Sequence, residues 1–196
     1  MSKTPRRVVV GLSGASGMAY GIDLLQTLRR IEGLEVHLVM TQGAKRVLIE
    51  EIGKNPEEVE LLADVVHRSQ DIGASIASGS FRTLGMVVVP CSATSLSKIA
   101  YGIADNLLTR AAYVHLKERR PLILVPREAP LPIPTLEALL KAAQAGATIL
   151  PAAPGFYTRP RSIEDLLAFM TQRVLDLLGL EYPRAVRWKE PEVVEE

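Results

Sequence analysis

The chain has 196 residues, 47% of them hydrophobic and 23% charged, with a formal net charge of +1 and one cysteine. That length holds one domain with a full core. The balanced charge excludes a basic nucleic-acid surface or an anionic-membrane surface, so any anion site must be local. Cys91, being alone, excludes an internal disulfide and a multi-cysteine zinc site. No apolar run is long enough to span a membrane. The segment containing Arg6 and Arg7 reads as a solvated tail rather than an export signal, so a cytoplasmic location is expected.

A first strand is expected over about Arg7 to Gly11, and a helix from Gly17 to about Arg30. Between them lies Gly11-Leu12-Ser13-Gly14-Ala15-Ser16-Gly17. A strand, a glycine-rich turn and a helix present backbone N–H groups and a helix N-terminus to an anion. Ser13 and Ser16 add hydroxyls there. The loop is not the dinucleotide fingerprint, because Ser13 stands where a glycine is needed. It is not a P-loop, because Met18 and Ala19 follow Gly17. Nor is it a nucleophile elbow, because Ala15 replaces the second glycine.

Glu35 to Met40 predicts a second strand ending at Thr41, with a helix following through Glu51. Thr41 stands where a dinucleotide site places an acidic residue for the ribose, which favours a mononucleotide. Asn55-Pro56-Glu57-Glu58 starts a short helix. Val65-Val66-His67 is a candidate strand, and Asp71 to Ser80 reads as a loop. Gly85 to Pro90 is continuously apolar, as a strand buried on both faces should be. Cys91-Ser92-Ala93-Thr94-Ser95 then opens a helix, a second strand-turn-helix junction built from hydroxyls. Further helices are expected over Asp105–Glu118, Thr135–Ala145 and from Ser162 to about Leu178. Further strands are expected over Leu122–Val125 and Ala147–Leu150.

Strands alternating with helices predict an α/β fold: a single Rossmann- or flavodoxin-like doubly wound domain over residues 1–189, with a mostly parallel sheet of five or six strands. Residues 190–196 read as a disordered tail. Ligands of such sheets bind outside the strand C-terminal ends. The residues there are Ser13 to Gly17, Thr41, Cys91 to Ser95, Arg127-Glu128 and Phe156-Tyr157. Arg127 has the fork geometry for a phosphate. Cys91 reads as a buried small side chain, since no histidine is placed to activate it. His37, His67 and His115 have no metal-site spacing and read as structural. Taken alone, Glu51 reads as a solvated helix end and Arg173 as an i,i+3 partner of Asp176.

Six motifs occur in order: the Gly11–Gly17 loop, Ala77-Ser-Gly-Ser80, Pro90-Cys-Ser92, Leu116-Lys-Glu-Arg-Arg-Pro-Leu122, Val125-Pro-Arg-Glu-Ala-Pro130 and Pro154-Gly-Phe-Tyr157. Together they resemble the UbiX-type flavin prenyltransferases, within the wider group of homo-oligomeric flavin-containing Cys decarboxylase-like proteins. The resemblance runs from Arg7 to Trp188. Thr135 departs from it, since many members carry His there.

The resemblance implies reduced FMN and dimethylallyl monophosphate as substrates. The dimethylallyl group would join flavin N5 and then C6, with no metal required, and the prenylated FMN would serve a UbiD-type decarboxylase, for example in ubiquinone biosynthesis. It implies a homododecamer with sites at subunit interfaces. Gly14, Ala15, Ser16, Thr41, Ser92, Ala93, Thr94, Ser95 and Arg127 match FMN-binding positions. Lys117, Glu128, Tyr157 and Arg173 match positions around the prenyl phosphate, and Arg110 is a further basic position near them. Glu51 and Ser16 match residues that handle protons. Tyr157, Trp188 or the flavin would face the allyl cation. Two other readings stand beside this one: an FMN-dependent Cys decarboxylase, which needs a histidine base near the flavin, and a non-catalytic flavin-binding subunit.

Overall fold

The structure, a computed structural model, describes residues 6–181. The expected tail and Trp188 lie outside the described residues. Among these described residues, six strands form one sheet: β1 (Arg6–Leu12), β2 (Leu34–Met40), β3 (Val65–His67), β4 (Gly85–Cys91), β5 (Leu122–Pro126) and β6 (Thr148–Ile149). Their order is β3-β2-β1-β4-β5-β6, and every pair is parallel. The chain winds outward from β1 to β3, then returns to lay β4 on the other side of β1. The winding therefore reverses between β1 and β4, and the crevice of a doubly wound sheet opens at that point.

Among the described residues, seven helices cover the faces: α1 (Met18–Leu28), α2 (Gln42–Ile52), α3 (Pro56–Glu60), α4 (Ala93–Ala100), α5 (Leu107–Lys117), α6 (Ile133–Gln144) and α7 (Ile163–Leu178). Because strand side chains alternate, Val8, Val10 and Leu12 pack against α1 and α7. Val9, Met86 and Val88 pack instead against α4, α5 and α6. β4 is buried at all seven positions, as its unbroken apolar run requires.

Most helix starts follow local chemistry. Asn55 and Glu58 form a capping box with Pro56 at the first helical position. Ser162 and Asp165 form another at α7. α6 begins two residues before Thr135, because Pro134 fits within a first turn. Thr135 itself is buried. A short 3-10 turn over Ser75–Ala77 interrupts the segment expected as loop. No helix among the described residues is long and apolar enough to cross a membrane.

The three histidines are built into the framework. Nδ1 of His37 and Nε2 of His67 share a hydrogen bond of 2.9 Å, and His37 Nε2 meets Glu35 Oε1 at 2.7 Å. Hydrogen bonds from His37 and Arg7 hold the Glu35 carboxyl below its usual range. His115 Nδ1–H donates to the Ala111 carbonyl at 2.7 Å, which leaves Nε2 to accept from the Thr83 hydroxyl at 2.8 Å. Burial pushes His115 down to about 4. The fold thus holds its neutral form, while the unfolded chain takes up a proton near 6.5. Stability from this group is complete above pH 6.5 and falls by about 3 kcal/mol as the pH drops toward 4. By NMR the His115 ring is expected to titrate near 4; titration near 6.5 would refute this account.

Candidate functional site

The residues at the strand exits are tied to one another. Gly17 sits at the N-cap of α1 with φ 102°, a conformation that suits glycine. Its N–H donates to both carboxylate oxygens of Glu51, at 2.9 and 3.0 Å. Glu51 is therefore not merely a solvated helix end: it reaches from α2 to the start of α1. The helix N-terminus that the sequence offered to a phosphate receives the chain's own carboxylate.

A Cβ on Gly14 would lie 3.0 Å from the Gly43 backbone, so the loop after β1 touches the turn after β2. In that turn Thr41 caps α2 by accepting from Ala44 N–H at 3.1 Å. Across the crevice, Ser92 caps α4, its hydroxyl oxygen accepting from Ser95 N–H at 3.2 Å and donating to Ser95 Oγ at 3.1 Å. Ala93 and Thr94 form the first turn of that helix. From β5, Arg127 Nε–H donates to the Ser16 carbonyl at 3.3 Å, so Arg127 leans on the glycine loop. Glu128 follows it, exposed, and accepts from Ala129 N–H. Gly14, Ala15, Ser16, Thr41, Glu51, Ser92 to Ser95, Arg127 and Glu128 thus share one edge of the sheet.

Ser13 departs from the expectation. It does not offer its hydroxyl to a ligand, because it is fully buried and bonded to the end of β4. The signal was its place in the loop, where a dinucleotide fingerprint has glycine.

Two other predicted residues meet α7 separately: Tyr157 packs on it from the preceding loop, and Arg173 belongs to it. The Tyr157 ring meets Phe169 edge-on, with centroids 5.7 Å apart. Arg173 lies one turn beyond Phe169 on the same side of the helix. Its guanidinium pairs with Asp176 at 3.1 Å, as its spacing predicts.

Lys117 does not join the glycine loop within one chain. Lys117 ends α5, five residues before β5 begins, and pairs with Glu118 at 2.9 Å. Its Nζ is 3.2 Å from where a Cβ on Gly79 would lie. Arg120 donates to the Gly79 and Phe81 carbonyls, and the Phe81 ring lies under the Arg7 guanidinium at the start of β1. This chain of contacts puts Lys117 at the edge where strands begin. β1 alone, at about 3.3 Å per residue, separates that edge from the glycine loop by about 20 Å. Arg110 is exposed on the same helix, over the Tyr113 ring.

Cys91 is buried, as expected, and burial pushes its thiol up to about 12, so it is no thiolate nucleophile. Among the described residues no cluster of His, Cys, Asp and Glu could hold a metal. A cavity of about 640 Å³ lies between α1, residues 158–161 and α7, and none of the predicted site residues line it. Gly14, Ser16, Thr94 and Glu128 are instead open to solvent. A site that encloses a small molecule needs walls, and a single chain leaves these positions open.

The strand-exit donor set fits FMN: hydroxyls and helix-end amides for a phosphate ester and ring carbonyls, with one arginine for charge. The comparisons agree. Residues 1–175 match the family model described as Flavoprotein. The flavin prenyltransferase UbiX of Deinococcus radiodurans is 53% identical over 188 residues, covering 96% of each chain. The crystal structure of AnUbiX (PadA1) in complex with FMN and dimethylallyl pyrophosphate superposes with a TM-score of 0.92 at 44% identity, covering 96% of this chain and all of that one. A dodecameric FMN-dependent UbiX-like decarboxylase from Escherichia coli O157:H7 gives 0.91 at 44% identity, covering 94% of this chain and all of that one. With its nucleotide crevice between β1 and β4 and this likeness along nearly its whole length, the chain belongs to the flavin prenyltransferase family of UbiX.

Proposed function

We propose that this protein transfers a dimethylallyl group from dimethylallyl monophosphate to N5 and C6 of reduced FMN, without a metal, and hands the prenylated flavin to a UbiD-type decarboxylase. One observation carries the reading furthest: at the nucleotide crevice of a chain 53% identical to a flavin prenyltransferase, the Glu51 carboxylate is held by Gly17 N–H at the end of the glycine loop. When bound, reduced FMN supplies the nucleophilic N5 and C6 positions.

The chain's own residues do the remaining work. Arg127, Arg173 and Lys117 stabilise the charge that develops on the departing phosphate. Glu128 and Tyr157 bond or protonate it. Glu51 and Ser16 accept and pass on the protons that leave the flavin as its new bonds form. Since Lys117 sits at the opposite edge of its own sheet, a neighbouring copy brings it to the crevice, in a homo-oligomer of the dodecameric kind. The decarboxylase alternative needs a histidine near the flavin, and His37, His67 and His115 are all engaged elsewhere.

The test is anaerobic. The protein is mixed with reduced FMN and dimethylallyl monophosphate, quenched, and the flavin is weighed. A gain of one C5H8 unit is expected. FMN of unchanged mass with both the monophosphate and the diphosphate donor would overturn prenyl transfer and leave the non-catalytic flavin-binding reading.

A further inference from the structure

Ser13 is fully buried beneath the exposed tip of the glycine loop. Pairing of β1 with β4 ends at Gly11 and Val88, and the register of β4 against β5 shifts between Val88 and Cys91. Past that point the sheet ladder no longer fixes the end of β4 against the loop. Ser13 takes over. Its N–H and hydroxyl both donate to the Pro90 carbonyl, at 3.2 and 3.0 Å. Its hydroxyl oxygen accepts from Ser92 N–H at 2.8 Å. Ser92 in turn caps α4 through Ser95. A continuous hydrogen-bonded path thus runs from the glycine loop to the first turn of α4.

We propose that the Ser13 hydroxyl is a positioning group for the flavin: it clamps the loop after β1 to the turn after β4 and sets the gap between the two banks of the crevice. This rests on the flavin reading above. It also accounts for the departure from the dinucleotide fingerprint. A glycine there lets a pyrophosphate approach the backbone, whereas serine ties the same backbone to the neighbouring strand. Without the hydroxyl, the Ser92 N–H loses its partner in a part-buried setting, which favours a shift of the turn.

The test uses the whole protein. Ser13→Ala is expected to raise the Kd and KM for FMN about tenfold or more, with kcat for prenyl transfer changed less than about threefold. Its bound-flavin absorbance should also differ from wild type. Ser13→Thr keeps the hydroxyl and is expected to restore FMN affinity to within about threefold. Val10→Ala, a core truncation in β1 away from both turns, controls for general loss of stability. A folded Ser13→Ala that binds FMN like wild type overturns the proposal, as does Val10→Ala weakening FMN equally. If Ser13→Ala does not fold, Ser13→Thr decides: near-wild-type affinity supports the clamp, and a tenfold loss in a folded variant overturns it. Wild-type protein that binds no FMN overturns the flavin reading and this proposal with it.

Discussion

Glu51→Gln is expected to slow prenyl transfer by roughly 10²–10⁴-fold, the range a positioned proton acceptor supplies, while FMN still binds. Glutamine keeps the shape of the side chain and one carbonyl oxygen to accept from Gly17 N–H, so the junction between α2 and α1 stays closed. It removes the ability to take a proton, together with the negative charge and one of the two oxygens that accept from Gly17 N–H. Glu51→Ala would also leave Gly17 N–H without its partner, confounding chemistry with a loosened loop, and is the poorer test. The measurement is single-turnover product formation under anaerobic conditions, with FMN binding followed in parallel. A variant with the wild-type rate would remove Glu51 as the base. A variant that loses FMN binding instead would make Glu51 a part of the loop's architecture.

The fold was legible because its signals are local and repeated. Every strand from β1 to β5 ends at a turn built from glycine, hydroxyl or proline residues, and the apolar run of β4 could only be a strand buried on both faces. The extents of β6 and α6 were less legible. β6 pairs only through Ile123 with Thr148 and Leu124 with Ile149, so its length depends on a neighbour that sequence periodicity does not report.

The site divides in the same way. Positions just past strand ends could be placed from sequence, because a parallel sheet puts them on one edge. The partners of individual side chains could not. Glu51 lies 34 residues from the glycine whose N–H it receives, and no local pattern pairs them. The sequence reads Ser13 as a ligand donor because its hydroxyl lies in the glycine loop. The end of the β1–β4 ladder turned it inward, and that follows from the pairing of strands distant in sequence. Family likeness groups Lys117 with Arg127, whereas the topology separates the two across the sheet.

That separation makes the sharper prediction. Lys117→Ala alone is expected to lose about 10²–10³-fold in prenyl transfer, as when one group facing developing charge is removed. Glu51→Gln alone is expected to be comparably slow. Oligomers assembled from the two variants together should nevertheless recover activity. If each crevice takes Glu51 from one subunit and Lys117 from another, random mixing in equal amounts leaves about a quarter of the crevices with both groups intact. If both came from a single subunit, no crevice in any mixture would be complete. The experiment co-expresses the variants under different tags, purifies the doubly tagged oligomers and measures turnover per subunit. Recovery well above either parent places Lys117 in its neighbour's site. Mixed oligomers as inactive as the parents would instead require α5 of one chain to reach its own glycine loop, which about 20 Å of β1 between the two edges of the sheet opposes.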